Sequence, residues 1–300
     1  MKNLLHTVKA PVKLWAAVLI ISASLQACKS NSNPTPPSAL QLRVITSSAN
    51  GFSINSTLIS GDKDAILIDA QFTISDATNL VKTIQATGKN LTTIYITHSH
   101  PDHYFGLVVL KQAFPNVKIV ALPTVVADIQ NTWQAKVAQW KPTYGDDITS
   151  NPVIPDVLNG TTLTIEGQDL QIFGNVQGDE ANNSYVWIPT LKAVVCGDID
   201  YNGVFPWTLE TTPAQRLDWI KTLNSIAALN PAIVVPGHQN PDLKDDASTL
   251  DFTKSYLTYY DSVLPTATSS VDFQNKIQAQ FPGLQLEVIL QIAADAAFAK

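Results

Sequence analysis

Hydrophobic residues along the chain follow two periods, one typical of strands and one typical of helices. Period-two alternation and β-branched or aromatic runs predict strands at 41–46, 54–60, 64–69, 92–97, 117–121, 184–188, 193–196 and 233–235, with two more inside 161–173. Apolar residues three and four apart predict helices at 76–87, 105–114, 123–140 and 212–229, with two or three more after 245. Segment 141–160 is rich in Pro, Asp, Asn and Gly and predicts a loop. The succession predicts an α/β fold of two packed sheets with helices outside.

The N-terminal segment has the pattern of an export signal. Three lysines lie within residues 1–13, and a short, largely apolar run follows at 14–25. This run is too short to span a bilayer comfortably as a helix. It ends at Leu25-Gln26-Ala27-Cys28, which resembles the bacterial lipobox, in which the cysteine is lipidated and the chain is cleaved before it. An ordinary cleaved signal peptide and an uncleaved anchor are the alternatives.

These features predict the domain organisation. We expect a signal peptide at 1–27, and an exported protein held on a membrane by a lipid on Cys28, facing the periplasm or the cell exterior. Residues 28–39 are small, polar and proline-rich, which predicts a flexible linker. A folded domain is expected at 40–240, with a helical extension at 241–300 packed on it.

Composition narrows the partners. The chain is 45% hydrophobic, which is enough for a sizeable core, and its formal net charge is -6. Because phosphate neutralisation by Lys and Arg supplies most nucleic-acid affinity, the acidic balance predicts no nucleic-acid partner. The other cysteine is Cys196, and since Cys28 is expected to carry a lipid, no disulfide framework is predicted.

The segment Thr97-His98-Ser99-His100-Pro101-Asp102-His103 carries the strongest chemical signal in the chain. It follows a predicted buried strand, and in an extended segment His98 and His100 point the same way. Pro101 prevents the strand from continuing, so Asp102 and His103 turn back toward the same volume. Imidazoles and a carboxylate gathered at one strand end suit zinc.

The placement of the remaining histidines agrees with a metal site. The chain has five histidines, and outside the leader they lie only in this cluster and in Pro236-Gly237-His238. His238 follows the short apolar strand predicted at 233–235. It therefore lies at a second strand end, where ligands from different strands can meet.

These motifs resemble those of the metallo-β-lactamase superfamily. His98-x-His100-x-Asp102-His103 is similar to its H-x-H-x-D-H motif, and three further pieces occur in the family's order: Ile66-Leu67-Ile68-Asp69, Val194-Val195-Cys196-Gly197-Asp198 and Val234-Val235-Pro236-Gly237-His238. The resemblance covers about residues 40–240. It implies an αββα sandwich with a dinuclear metal site in a cleft at one edge.

The resemblance also implies a role for each motif residue. The first metal would be held by His98 and His100, the second by Asp102, His103 and His238, with Asp198 bridging the two. Asp69 would support the site by accepting a hydrogen bond from a ligand histidine.

One position departs from the family pattern. The family places another histidine about ten residues before the proline that ends the next strand, but counting back from Pro189 reaches Asp179. Three interpretations stay open: Asp179 is the ligand, Glu180 is the ligand, or this loop gives none. A carboxylate is an acceptable zinc ligand, but its harder oxygen also suits manganese or iron. We expect two zinc ions, with Mn or Fe as alternatives.

The implied function is that of a metal-dependent hydrolase. A metal-bound hydroxide would attack an ester, lactone, thioester or amide of a small molecule, and Asp102 would orient it and move a proton. An iron-dependent dioxygenase or oxidoreductase and a degenerate, non-catalytic metal-binding protein are the alternatives. Candidate cleft residues are Tyr104, Phe105, Tyr201, Phe205, Trp207 and segment 141–160, which favour a small, partly apolar substrate. Packing is the alternative role for these residues. Trp133 and Trp140 are interpreted as helix packing.

Overall fold

The first half of the chain forms a six-stranded sheet with helices in its connections. Its strands are β1 (Gln41–Thr46), β2 (Asn55–Ser60), β3 (Asp64–Ile68), β4 (Asn90–Ile96), β5 (Lys118–Ala121) and β6 (Asp156–Val157), in spatial order β1-β2-β3-β4-β5-β6. The first three strands pair antiparallel and the rest pair parallel. The helices are α1 (Ile74–Gln85), α2 (Pro101–Tyr104), α3 (Leu107–Ala113) and α4 (Pro123–Tyr144).

The second half forms a five-stranded sheet and a small strand pair. Its strands are β7 (Thr162–Ile165), β8 (Gln168–Val176), β9 (Asn183–Ile188), β10 (Ala193–Val195), β11 (Tyr201–Asn202), β12 (Ile233–Val235) and β13 (His238–Gln239). The sheet order is β12-β10-β9-β8-β7, and β11 pairs with β13. Helix α5 (Pro213–Ala228) connects β11 to β12. Helices α6 (Ser248–Val263), α7 (Ser270–Gln280) and α8 (Glu287–Ala297) come after β13.

The structure, a computed structural model, describes residues 7, 9–11 and 39–299. Most of the predicted signal peptide, the lipidation site Cys28 and nearly all of the linker therefore lie outside the described residues. Within those ranges, no helix combines the length and the apolar character that crossing a membrane requires.

Alternate residues of the second sheet face two different cores. Val195 and Val235 belong to a cluster shared with the first sheet and with α1, α3 and α4. Their neighbours Val194 and Val234 belong to a second cluster, shared with α5, α6, α7 and α8. Because successive side chains of a strand point to opposite faces, the sheets pack against each other and helices cover both outer faces. This confirms the predicted αββα sandwich, with the C-terminal helices on the second sheet.

Helix α4 is longer than the sequence predicts. It continues to Tyr144, past Pro142, although proline removes a backbone donor and disfavours a helix interior. Packing explains the difference: the Trp140 ring lies 5.3 Å from Phe52, and the Tyr144 ring lies 4.9 Å from Phe72. The loop prediction for 141–160 was therefore wrong at its start, and also at β6, a two-residue strand paired with β5.

Glu166 ties the β7–β8 hairpin to the turn between β2 and β3. Its carboxylate accepts hydrogen bonds from the backbone N–H groups of Asp62, Lys63 and Asp64, at 2.9, 2.7 and 2.9 Å. These backbone donors lower the pKa of Glu166 to about 2, because they stabilise the charged form. The contact joins the two sheets away from the strand ends that carry the histidines.

We expect Glu166→Gln to lower the Tm at pH 7 by roughly 2–4 °C, since a neutral amide accepts these hydrogen bonds more weakly. Because the pKa of Glu166 is lower in the folded chain than its usual value, the ionised carboxylate stabilises the fold at pH values above the usual pKa of glutamate. This stabilisation is lost as the pH falls toward about 2. The Tm difference from wild type should therefore shrink between pH 5 and pH 3 in thermal melts. Asp242→Asn, at an exposed acid, is the control. A difference that stays constant with pH contradicts the assignment.

Candidate metal centre

The ends of β3 and β4 position the first part of the site. The two strands are parallel, so Asp69 and Thr97 emerge at the same sheet edge. The Asp69 carboxylate accepts hydrogen bonds from the backbone N–H and the hydroxyl of Thr97, at 2.9 and 2.8 Å. Asp69 itself has φ 61, a left-handed conformation that non-glycine residues adopt mainly where surrounding structure enforces it. Helix α2 begins directly after His100, with Pro101 in its first turn, and turns Asp102 and His103 back.

The ends of β10 and β12 position the second part. These strands are also parallel. Asp198 lies in the short turn after β10, and His238 begins β13, separated from the end of β12 by Pro236 and Gly237. The backbone N–H of Asp179 donates to the carbonyl of Asp198 at 3.2 Å, which brings the 177–183 loop to the same place. Four strand ends and one loop therefore deliver their side chains to one edge of the sandwich.

Two groups of side chains converge there, and a third lies on their outer side. The ligand-type atoms of each group lie within 4.8 Å of one another: the first group is His98, His100, Asp179 and Asp198, the second is Asp102, His103 and His238, and the outer one is His100, Glu180 and Glu210. Within the first group, His100 Nδ1 lies 3.0 Å from Asp179 Oδ2. Ligand atoms about 2.0–2.1 Å from a tetrahedral zinc ion stand roughly 3.3 Å apart, so this spacing suits a shared cation.

Asp198 lies between the two groups. Its Oδ2 is 3.6 Å from His98 Nε2 and 3.1 Å from His238 Nε2, and its Oδ1 is 3.0 Å from His103 Nε2. The side chain is 2% exposed. This carboxylate is the one placed to serve both groups at once.

The residues fit metal ions because several buried polar atoms lack hydrogen bonds among the described residues. These atoms are His98 Nε2, His103 Nε2 and Asp198 Oδ1. Leaving such atoms unpaired costs free energy, which coordination of a cation would offset. The opposite ring nitrogens do have partners: His98 Nδ1 contacts Thr97 Oγ1 at 3.0 Å, His103 Nδ1 contacts Asp69 Oδ2 at 2.8 Å, and His238 Nδ1 contacts the Phe52 carbonyl at 2.7 Å. These contacts turn each Nε2 inward.

The carboxylates give the site a negative potential. Burial by itself would lower the pKa of His238, but Asp198 and Asp102 outweigh burial and raise it to about 10. Burial likewise opposes the charged form of His103, yet Asp198 and Asp69 raise its pKa well above the usual value. Imidazoles held this firmly toward the cationic form lie in a field that also favours metal cations.

The structure separates the two acids that sequence reasoning left open. Asp179 is fully buried, and its carboxylate contacts His100, Asn183 and the Tyr201 hydroxyl. The Glu180 carboxylate instead accepts hydrogen bonds from the backbone N–H and hydroxyl of Ser99, at 2.8 and 2.7 Å. Asp179 therefore belongs to the first group, whereas Glu180 lies on its outer side, 3.6 Å from His100 Nε2.

A cleft opens beside the two groups. Of the aromatic residues predicted to line it, Tyr201, Phe205 and Trp207 do so. Tyr104 and Phe105 do not, because both are fully buried in the first core cluster, and segment 141–160 contributes nothing to this wall. Trp140, interpreted as packing, both contacts Phe52 and lines the cleft.

Sequence reasoning missed several cleft residues. Lys136 of α4 and Glu210 form an ion pair at 2.9 Å, and Glu210 Oε2 lies 3.5 Å from His100 Nε2. Leu286 and Ile289 come from the C-terminal region. Lys136 could have been predicted together with Trp140, because residues four apart on a helix share one face. Neither Glu210 nor Leu286 belongs to a motif.

Comparison with known proteins identifies the family. The family model described as "Metallo-beta-lactamase superfamily" matches residues 49–238. A search of the curated proteins found no match.

Among solved structures, a metallo-beta-lactamase family protein from Thermus thermophilus is similar with a TM-score of 0.61 and 16% identity, over 86% of this chain and 91% of that one. The DIM-1 metallo-beta-lactamase is similar with a TM-score of 0.53 and 21% identity, over 74% of this chain and 94% of that one. A metallo-beta-lactamase from Pontibacter korlensis is similar with a TM-score of 0.53 and 21% identity, over 74% of this chain and 95% of that one. At these identities the structural likeness shows the fold. Since the family model covers more than half of the chain, this protein belongs to the metallo-beta-lactamase superfamily.

Proposed function

We propose that the protein is a metal-dependent hydrolase that cleaves an ester, lactone, thioester or amide bond in a small molecule. The observation that carries the proposal is the position of Asp198 between two groups of imidazoles and carboxylates, with the Nε2 atoms of His98 and His103 turned inward and without hydrogen bonds. When bound there, a pair of divalent ions would lower the pKa of a water molecule and polarise the oxygen of the scissile bond.

The chain's own groups supply positioning and proton transfer. Asp102 is 13% exposed, borders the cleft, and lies 3.3 Å from His238 Nε2. Burial by itself would raise its pKa, but His238 and His103 outweigh burial and lower the pKa to about 2, so the carboxylate is ionised. It can therefore accept a hydrogen bond from the attacking water and pass a proton toward the leaving group.

Tyr201 braces this arrangement. Its hydroxyl lies 3.1 Å from Asp198 Oδ2 and 3.2 Å from Asp179 Oδ2, so its one hydrogen is shared between the two carboxylates. Its ring lies parallel to the His238 imidazole, with centroids 5.5 Å apart and an interplanar angle of 5°. The phenol therefore fixes two carboxylates and one imidazole at once.

The donor set favours zinc, and the cleft favours a small substrate. The imidazoles of His98, His103 and His238, together with the carboxylates, match the ligands that zinc prefers. The mostly apolar lining of the cleft, with a few polar groups at one end, is typical of small-molecule sites. The lipobox-like residues at 25–28 support a location outside the cytoplasm for the proposed hydrolase, with attachment to a membrane through Cys28.

An iron-dependent oxidoreductase is the second candidate. The observation that favours it is Asp179, which gives the first group a carboxylate of its own beside His98 and His100, in addition to the shared Asp198. Two histidines and one carboxylate are the usual ligands of non-haem iron oxygenases. Metal identity separates the two candidates.

We expect the protein beginning at Ser30, purified without chelators, to contain about two zinc ions per chain by mass spectrometry. Dialysis against a chelator should remove them together with hydrolysis of a neutral phenyl ester, and added zinc should restore both. His100→Ala, which removes a first-group imidazole, should lower the metal content to about one. Full hydrolysis in the metal-free protein contradicts the proposal, and iron with no hydrolysis supports the oxidoreductase.

A further inference from the structure

The cleft has two ends of different chemistry. Its metal-facing end presents His100, Asp102, Asp198 and His238. Its other walls are mostly apolar, and six of their residues are Phe52, Trp140, Phe205, Trp207, Leu286 and Ile289. A substrate whose reacting bond reached the first end would therefore place its remaining part among apolar side chains, where burial is favourable.

The C-terminal region forms one of these walls. Gln285 is held to the loop after β11 by two backbone hydrogen bonds, one from Phe205 N–H to its carbonyl at 3.1 Å and one from its own N–H to the Gly203 carbonyl at 3.0 Å. The next residue, Leu286, has φ 62 and ψ 47. A non-glycine residue in this left-handed conformation is strained, and such strain concentrates at binding sites. Leu286 then leads into α8, whose Ile289 also lines the cleft.

The charges at the cleft leave no excess of positive charge. Among the described residues that line it, Lys136 is the one lysine or arginine, and its ammonium lies 2.9 Å from Glu210. Asp102, Asp198 and Glu210 line the cleft, while Asp179 and Glu180 lie beside His100. These five carboxylates would match two divalent ions and the one ammonium. An anionic substrate therefore gains no net attraction on entering.

We propose that the cleft binds electrically neutral acyl compounds whose apolar chain lies against Leu286 and Ile289. Glu210, by pairing with Lys136, makes the cleft discriminate against substrates that carry a free carboxylate besides the reacting acyl group. The reaction in this proposal rests on the proposed hydrolase function, whereas the binding of the apolar chain does not. Leu286 and Ile289 are thus specificity-determining residues contributed by the C-terminal helices.

The first test compares matched esters on the metal-loaded protein. The p-nitrophenyl esters of acetate, butanoate and hexanoate vary the chain, and the mono-p-nitrophenyl ester of adipate has the length of hexanoate with a terminal carboxylate. We expect kcat/KM to rise with chain length, and hexanoate to exceed the adipate half-ester by about tenfold or more. An adipate ester that reacts as fast as hexanoate overturns the charge part of the proposal.

Variants then assign the effect to residues. Leu286→Ala should lower the hexanoate-to-acetate ratio of kcat/KM by roughly five- to tenfold, because it removes apolar contact. Leu286→Met, of similar volume, should keep most of the ratio. Leu217→Ala, at a leucine 60% exposed on α5, is the matched control and should leave it unchanged. Glu210→Gln should raise the adipate-to-hexanoate ratio about fivefold by freeing Lys136. Ratios within one variant cancel any general loss of activity.

A binding measurement separates this proposal from the hydrolase function. Methyl hexyl ketone, which cannot be hydrolysed, should change the fluorescence of Trp140 and Trp207, with an apparent Kd about fivefold weaker in Leu286→Ala. Ketone binding that depends on Leu286, without hydrolysis of any ester, supports the cleft assignment and refutes the hydrolase. Metal-dependent hydrolysis whose chain-length dependence is the same in Leu286→Ala and in wild type refutes the cleft assignment and leaves the hydrolase standing.

Discussion

Asp198→Ala is expected to lower the kcat/KM of ester hydrolysis by roughly a thousandfold or more and to leave less than one metal ion per chain. The physical reason is the position of this carboxylate, whose oxygens lie 3.6, 3.0 and 3.1 Å from the Nε2 atoms of His98, His103 and His238. Its loss removes a ligand from both groups and leaves these imidazoles without their shared counter-charge. Metal content by mass spectrometry and steady-state kinetics on the same preparation measure the two effects.

Two further variants make this prediction specific. Asp69 holds Thr97 and contacts His103 only at its outward nitrogen, at 2.8 Å, so Asp69→Asn should weaken metal binding by about 10–100-fold and leave some activity. Asp169→Ala, at an exposed aspartate of β8, should leave metal content and activity at wild-type values. An Asp198→Ala protein that keeps two metal ions and its activity would refute the role given to this residue.

Gly237→Ala should destabilise the fold by about 2–3 kcal/mol and release metal as well. A Cβ at this position would overlap Asp198 Oδ1 and would lie 2.6 and 2.7 Å from the backbone C and O atoms of Gly197. The backbone of residue 237 must approach this closely because its neighbour His238 has to reach Asp198. Urea unfolding of metal-loaded and chelated protein gives the change in the free energy of unfolding.

Gly88→Ala is the matched control for this prediction. Gly88 has φ +68 and open space where its Cβ would lie, so the substitution costs backbone strain of about 1 kcal/mol and no overlap. The Gly88→Ala protein should hold as much metal as the wild type. If Gly237→Ala unfolded at the wild-type urea concentration and held two metal ions, the close approach would not matter.

The parts of the site that follow strands could be predicted from sequence. His98, His100, Asp102 and His103 lie within six residues, so one local motif carries four side chains. The strands before the motif residues have simple apolar runs, and their predicted positions agree with β3, β4, β10 and β12 to within two residues. Local signals of this kind need no knowledge of tertiary packing.

Only part of the cleft wall could be predicted: Tyr201, Phe205 and Trp207 line it as expected, but other residues were missed. Glu210 and Leu286 reach the cleft through tertiary packing, and the residues around them carry no motif. The choice between Asp179 and Glu180 depended on the local turn of the loop. The turn places Asp179 3.0 Å from His100 Nδ1, whereas Glu180, 3.6 Å from His100 Nε2, accepts hydrogen bonds from Ser99. The end of α4 was missed because Trp140 and Tyr144 pack on Phe52 and Phe72, and that packing outweighs the local signal of Pro142.

The distribution of the ligands over both sheets also bears on how the chain folds. His98 and His238 are about 140 positions apart, so the site has a high contact order and forms only after both sheets are in place. A bound cation would then stabilise only the native chain, adding about 1.4 kcal/mol for each tenfold rise in free metal above its Kd. Resistance to unfolding would therefore depend on the metal supply of the compartment in which the protein folds.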